Sequence, residues 1–155
     1  MTFHRGSGVI VYDPFRADMK RRTQNWCVIN VDKEITRYYR WWLKYEKHIH
    51  LQQPSWDAHI SVVRGEKINS ELCCFWKKYN NQRVEFYYQH VGEYKIVRSG
   101  LTGSSDNGDY YIVEVRCDFI NKIREELHLK TGWLFHLTFG RTYEYQARQP
   151  KRGFK

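Results

Sequence analysis

The chain has 155 residues, enough for a hydrophobic core, and we predict a single domain over 1–155. Its net charge of +9 and aromatic content of 17% favour an anionic partner with stacking bases, nucleotide or nucleic acid; a basic protein with an aromatic core is the alternative. With no apolar leader, no run of membrane-span length and no CxxC spacing, we expect a soluble cytoplasmic protein and no zinc site.

The N-terminal 24 residues join a short strand to a dense basic stretch. The apolar run Val9–Tyr12 predicts the strand. Pro14 and the basic residues after it predict an ordered flap, with a solvated arm as the alternative. The basic residues are Arg16, Lys20, Arg21 and Arg22, and we name Lys20 as a candidate substrate-binding residue.

A strand, a helix and a second strand are predicted next. Trp26–Val31 has the apolar, β-branched composition of a strand. Asp32 is a suitable N-cap for a helix over about 33–47, where apolar residues recur at helical spacing. His59–Val63 predicts the strand that follows.

The middle of the chain predicts a helix and two strands. Apolar residues at helical spacing over Leu72–Tyr79 predict the helix, which ends at the turn Asn80-Asn81. The strands are expected at Val84–Tyr88 and Tyr94–Val97, and the polar composition of 99–108 predicts a flexible loop.

The last part repeats the strand, helix and strand order. Tyr110–Cys117 alternates as a strand, and Asp118 is predicted to cap a helix that Gly132 ends. Trp133–Gly140 predicts the final strand, and we expect a frayed basic tail over 147–155.

Two segments share one pattern, His59-Ile60-Ser61-Val62 and His136-Leu137-Thr138-Phe139, and an arginine follows each at the same offset. Residues i and i+2 of a strand point to one face, so each histidine stands beside its hydroxyl residue. Each motif closes a strand, helix and strand unit. Two similar lobes related by an approximate twofold axis would bring the motifs face to face.

These paired motifs resemble the duplicated motif of the two-histidine (2H) phosphoesterase superfamily, and the likeness in element order extends from Trp26 to Tyr143. The resemblance implies an α+β, bilobal fold in which two antiparallel sheets form a central cleft with helices on the outside. Members include RNA 2′,3′-cyclic phosphodiesterases and phage enzymes that destroy cyclic-oligonucleotide immune signals. The small size and basic N-terminal segment are most similar to the phage branch.

The resemblance also implies a metal-independent mechanism without a cofactor, acting on a cyclic or short oligonucleotide. One of His59 and His136 accepts a proton from the nucleophile, the other protonates the leaving oxygen, and the order stays open. Ser61 and Thr138 donate hydrogen bonds to the non-bridging phosphate oxygens.

Five further residues are candidates for substrate binding. Tyr12, Trp56 and Trp133 could stack on bases, with a place in the core as the alternative. Arg64 and Arg141 lie an odd number of residues from their histidines, so in a regular strand they face away. A bulge or a strand end would turn them toward the phosphate.

Three other interpretations compete with this one. RNA-end processing through a 2′,3′-cyclic phosphate would use the same histidines on linear substrates. A non-catalytic nucleotide or single-strand binding module needs only the charge and the aromatic rings. The histidines could also be buried strand residues satisfied by local hydrogen bonds.

Overall fold

The computed structural model describes residues 2–15, 20, 23–54, 56–98 and 108–143. The predicted flap residues Arg16, Arg21 and Arg22, the loop over 99–107 and the tail over 147–155 lie outside them. The elements are β1 (Phe3–Tyr12), β2 (Trp26–Val31), α1 (Lys33–Lys47), β3 (His59–Arg64), β4 (Arg83–Gln89), β5 (Lys95–Arg98), β6 (Gly108–Arg116), α2 (Asp118–Glu126) and β7 (Phe135–Tyr143).

The strands of the described chain form a closed antiparallel barrel. Six strands follow one another around the wall in the order β4-β1-β2-β3-β7-β6, and a pairing between β4 and β6 closes the ring. The seventh strand, β5, pairs with the N-terminal part of β6. The pairing that closes the ring joins Tyr87 to Arg116 and Tyr88 to Val115.

Five directly paired residues set the register of the wall. They are fully buried, at 0% exposure, and run across five adjacent strands: Ile10, Ile29, Ile60, Leu137 and Val113. We call them the core belt. Burying such a side chain stabilises the fold by roughly 1.5–3 kcal/mol, so a pairing that exposed the belt would be strongly disfavoured. The belt therefore faces the barrel interior, and the residues beside it in each strand face outward.

The predicted α+β, bilobal arrangement of two antiparallel sheets around a central cleft is wrong. The fold is mostly β, and the two halves are parts of one closed wall because β3 pairs with β7 and β4 pairs with β6. The space between the halves is filled by the core belt and its neighbours. The predicted repeat of element order is present, as β2–α1–β3 and β6–α2–β7.

The first helix has its predicted bounds and its predicted N-cap, Asp32. The Asp32 side chain accepts a hydrogen bond of 2.9 Å from the Glu34 amide, which satisfies one of the exposed donors of the first turn. Lys44 and Lys47 lie in the last turn, and His48 ends the helix in the left-handed conformation. The strand β2 also has its predicted bounds.

Two other predicted helices differ from the structure. Leu72–Tyr79 is not an α-helix: a 3₁₀ turn covers Ser70–Phe75, and Lys77 and Asn81 adopt left-handed φ angles of 68° and 65° that stop its continuation.

The helix after β6 begins and ends at other residues than predicted. Cys117, not Asp118, is its N-cap residue. The helix ends at Glu126 and not at Gly132, because His128 already supplies the left-handed residue, with φ of 54°. The strand β7 starts at Phe135, two residues after the predicted start, and extends to Tyr143. No helix among the described residues is long and apolar enough to cross a membrane.

Both motif strands carry a β-bulge at the same position. On β3 the residues opposite Cys27 and Val28 are Val63 and Ser61, so Val62 is the extra residue. On β7 the register steps from Thr138 to Gly140, so Phe139 is the extra residue. The fourth residue of each repeated motif is therefore bulged.

Each bulge accepts a hydrogen bond from an arginine that lies on the helix of the other repeat. Arg40 on α1 donates a hydrogen bond of 2.8 Å to the carbonyl of Phe139, and Arg124 on α2 donates one of 2.8 Å to the carbonyl of Val62. The helices pack accordingly, α1 against β7 and α2 against β3. Because a buried bulge leaves a ladder carbonyl without a strand partner, these two arginines supply the missing donors.

Arg124 is a charged residue inside the hydrophobic core. It is fully buried, donates to the Lys130 carbonyl at 2.7 Å, and makes two hydrogen bonds of 2.7 Å to the carboxylate of Glu66. Those hydrogen bonds lower the pKa of Glu66.

We predict that Arg124→Met lowers the free energy of unfolding by about 3–5 kcal/mol, because it strips a buried carbonyl and a half-buried carboxylate of their donor. Urea denaturation followed by far-UV circular dichroism measures the loss. Arg37→Met is the control: its ion pair with Glu34 is exposed, at 73% and 60%, and its loss should cost about 0–1 kcal/mol. Equal losses of unfolding free energy in the two variants would show that the buried hydrogen bonds of Arg124 contribute no more to stability than an exposed ion pair.

Candidate active site

The four predicted catalytic residues lie together on the outer face of the barrel wall. Ile60 pairs with Leu137 in antiparallel register, so the neighbouring positions place His59 opposite Thr138 and Ser61 opposite His136. Since Ile60 and Leu137 face inward, the alternation of the strands turns these four side chains outward. All four are half-buried.

The register also sets the space between the two imidazoles. His59 and His136 are diagonal neighbours across β3 and β7, for which Cβ separations of about 7–8 Å or somewhat less are typical. A tetrahedral phosphate group is about the size of that gap. The hydroxyl residues occupy the other diagonal, so the four side chains surround one small area of the wall.

The bulges turn both arginines to the histidine face. Arg64 pairs with Trp26 and His59 with Asn30, which are four residues apart on β2 and point the same way. On β7 the partners of Arg141 and His136 are likewise four residues apart on β6. Of the two possibilities that the sequence left open, the redirecting bulge is the one found.

The two arginines nevertheless have different surroundings. Arg64 is exposed and lies close enough for its charge to act on His136. Arg141 is 3% exposed, its guanidinium lies 4.9 Å from the centre of the Tyr110 ring, and its backbone pairs with that of Gln52. Arg64 is therefore the better candidate for phosphate contact, and Arg141 supports the wall.

His59 is oriented by the chain just before it. Its Nδ1 lies 2.7 Å from the carbonyl oxygen of Asp57, which can only accept, so Nδ1 carries the proton and donates. The Trp56 ring lies 5.5 Å from the imidazole and stacks on Trp26 at 6.2 Å. These contacts fix the ring plane and leave Nε2 as the nitrogen for proton transfer.

His136 is partly shielded from solvent. Burial, followed by the positive charge of Arg64 and by His59, lowers the pKa of His136 below its usual value. Glu114 faces it from the paired position on β6, and that carboxylate also accepts a hydrogen bond of 3.3 Å from Arg116. The lowered pKa favours the neutral form of this imidazole.

A groove of about 260 Å³ adjoins Thr138. It runs between the first turns of α1 and the segment before β3, and its lining includes Lys33, Arg37, Arg40 and Trp56. This volume is below the roughly 300–1,000 Å³ of pockets that enclose a drug-sized ligand. The groove can hold part of an anionic ligand. The remainder of such a ligand would lie on the outer face of β3 and β7.

Two predicted binding residues, Tyr12 and Trp133, make contacts within the fold. Tyr12 is 4% exposed and meets Trp76 edge-to-face at 4.9 Å, so the structure places it in the core. Trp133 covers the guanidinium of Arg124 at 4.2 Å, which is a contact within the fold. Lys20 is exposed, and the residues on both sides of it lie outside the described chain.

Sequence reasoning missed Glu114 and Arg40. Glu114 occupies the position opposite His136 that Asn30 occupies opposite His59, which the strand register shows and the sequence does not. Arg40 gave no sequence signal either, because its contact with the Phe139 carbonyl depends on how α1 crosses β7.

In the described part of the chain, no group of three or more histidine, cysteine, aspartate or glutamate residues is placed to hold a metal ion. Comparison with known proteins gives no guide to this site: no family model, no curated protein and no solved structure matches the chain.

We predict that Arg64→Gln raises the pKa of His136, because it removes one of the two charges that disfavour the imidazolium. Two-dimensional NMR of the histidine ring protons over a pH titration measures this directly. Arg83→Gln, an exposed arginine on β4, is the control and should leave the His136 titration unchanged. If Arg64→Gln also leaves it unchanged, Arg64 does not contribute to this pKa, and burial and His59 set it.

Proposed function

We propose that this protein is a metal-independent phosphodiesterase of the two-histidine type that cleaves cyclic or short oligonucleotides. The observation that carries the proposal is the pairing of Ile60 with Leu137, which sets two histidines and two hydroxyl residues around one area of the wall. Two imidazoles supply both proton transfers of phosphodiester cleavage, so the mechanism needs no metal.

His136 is the general base and His59 the general acid. The lowered pKa favours the neutral form of His136, the form that can take a proton from the nucleophile, a water or a ribose 2′-hydroxyl. As the nucleophile forms its bond to phosphorus, the bond to the leaving oxygen breaks, and Nε2 of protonated His59 gives that oxygen its proton. The hydrogen bond to the Asp57 carbonyl favours the charged form of His59 that this step requires.

The hydroxyl residues and Arg64 act on the non-bridging oxygens. Ser61 lies opposite the base and Thr138 opposite the acid, so the two hydroxyls approach the phosphate from opposite sides. Each such donor typically contributes about 10²–10³ in rate when charge develops on the oxygens. Arg64, exposed beside His136, adds positive charge at the same place.

The substrate class follows from charge and space. A net charge of +9 favours a polyanion, and the groove beside Thr138 takes up about 260 Å³ of it against basic side chains and Trp56. Since the site lies on an outer wall, a cyclic oligonucleotide can present one phosphodiester to it without entering a deep cavity.

We predict that His59→Ala and His136→Ala each lower kcat/KM by about 10²–10⁴, because each removes one proton-transfer group. Hydrolysis of cyclic dinucleotides and trinucleotides, followed by chromatography, measures the loss, and EDTA should not affect the parent. His50→Ala, an exposed histidine, is the matched control and should keep full activity. Turnover by the double alanine variant, or inhibition by EDTA, would refute the assignment.

A substrate panel separates the proposal from RNA-end processing. We predict higher kcat/KM for cyclic dinucleotides and trinucleotides than for linear RNA that ends in a 2′,3′-cyclic phosphate. The ratio of the two values at equal salt concentration is the measurement. Preference for the linear ends would move the assignment to end processing, with the same histidines in the same roles.

A further inference from the structure

Three neighbouring aromatic side chains on α1 are half exposed. Tyr38, Trp41 and Tyr45 retain 51%, 52% and 58% exposure, and we call them the aromatic stripe. Their spacing of three and four residues places them on one side of the helix. The opposite side of α1 is anchored in the core by Tyr39 and Leu43, so the direction of the stripe is fixed.

The rings of the stripe form one continuous surface. Tyr38 and Trp41 stack with centroids 5.8 Å apart and planes 25° apart, and Trp41 and Tyr45 follow at 5.1 Å. A contiguous exposed patch of this kind marks an interaction surface more often than single exposed apolar residues do. Its rigid helical support means that a ligand would not have to order it first.

The charge around the stripe identifies the kind of partner. The helix from Lys33 to Lys47 holds five basic and two acidic residues. One of the acidic residues, Glu34, forms an ion pair with Arg37, and the Lys44 ammonium lies 5.6 Å from the Tyr45 ring centre. Aromatic faces interleaved with cations suit a ligand that has both flat rings and phosphates.

We propose that the aromatic stripe of α1 binds single-stranded nucleic acid, with bases stacked on Tyr38, Trp41 and Tyr45 and phosphates beside the basic residues of the same helix. Single strands are specified because the bases of a duplex are stacked within it and cannot lie on protein rings. The basic residues Lys33, Arg37 and Arg40 line the groove that reaches Thr138, so a strand on the stripe can continue toward the candidate active site. The binding itself does not depend on the proposed catalysis.

The dissociation constants of labelled oligouridine and oligothymidine, each about 12 nucleotides long and measured by fluorescence anisotropy, test the proposal. The His59→Ala/His136→Ala variant serves as background, so that cleavage cannot mask binding. Replacing all three stripe residues by alanine, a strong helix former, should weaken binding at least about tenfold, and Trp41→Ala alone about fivefold. Affinity of the background variant should fall steeply with salt.

Phe75→Ala is the matched control. Phe75 is also exposed, has the Lys78 ammonium 5.6 Å from its ring centre, and lies on the 3₁₀ turn near α2. Its removal should leave binding unchanged. Photo-crosslinking of 5-bromouridine RNA to the background variant, read by mass spectrometry, should map to α1 even if the triple variant folds poorly.

Three results would overturn the stripe proposal: no binding of either oligonucleotide, equal binding by the triple variant, or crosslinks confined to other segments. Equal affinity for a duplex would overturn the single-strand specificity. The catalytic proposal is judged separately, by hydrolysis of cyclic dinucleotides in the parent, so either proposal can fail while the other stands.

Discussion

The core belt is the constraint on which the barrel and the candidate site both depend. Ile60 and Leu137 are its adjacent members on β3 and β7, and they must face inward because they are completely buried. Strand alternation then leaves the flanking histidines and hydroxyl residues no direction but outward. A slip of one residue on either strand would bury an imidazole and expose an aliphatic side chain. The burial of these apolar residues therefore fixes the direction of the polar side chains on the other face of the same two strands.

The two repeats complete each other at the bulges. Arg40 in the first repeat holds the bulge of the second, and Arg124 in the second holds the bulge of the first. Each bulge in turn sets the direction of the arginine that follows its motif. In each repeat, the bulged carbonyl of the motif strand takes its hydrogen-bond donor from the other repeat. This exchange links the two halves in addition to the pairing of β3 with β7 and of β4 with β6.

Local patterns predicted local structure well. β2 and α1 have their predicted bounds, and the alternation in the two motifs correctly placed each histidine beside its hydroxyl residue. Barrel closure could not be predicted, because the pairing of β4 with β6 involves only two registered residue pairs between distant segments. The burial of Arg141 could not be predicted either, since it depends on the segment at Gln52 crossing β7. The bilobal arrangement that the resemblance implied is wrong, because long-range strand pairing closes the wall.

The departure from twofold symmetry is what gives the proposed reaction a direction. A perfectly symmetric pair of motifs would have two equal histidines and no reason for one to be the base. Here the segment that pairs with Arg141 covers one arginine, while its counterpart Arg64 stays exposed beside His136. Burial and that charge lower the pKa of His136, whereas Nδ1 of His59 donates a hydrogen bond to the Asp57 carbonyl. In the proposed reaction, the two motifs therefore take different roles because of differences in the elements around them, not because of differences in the motifs themselves.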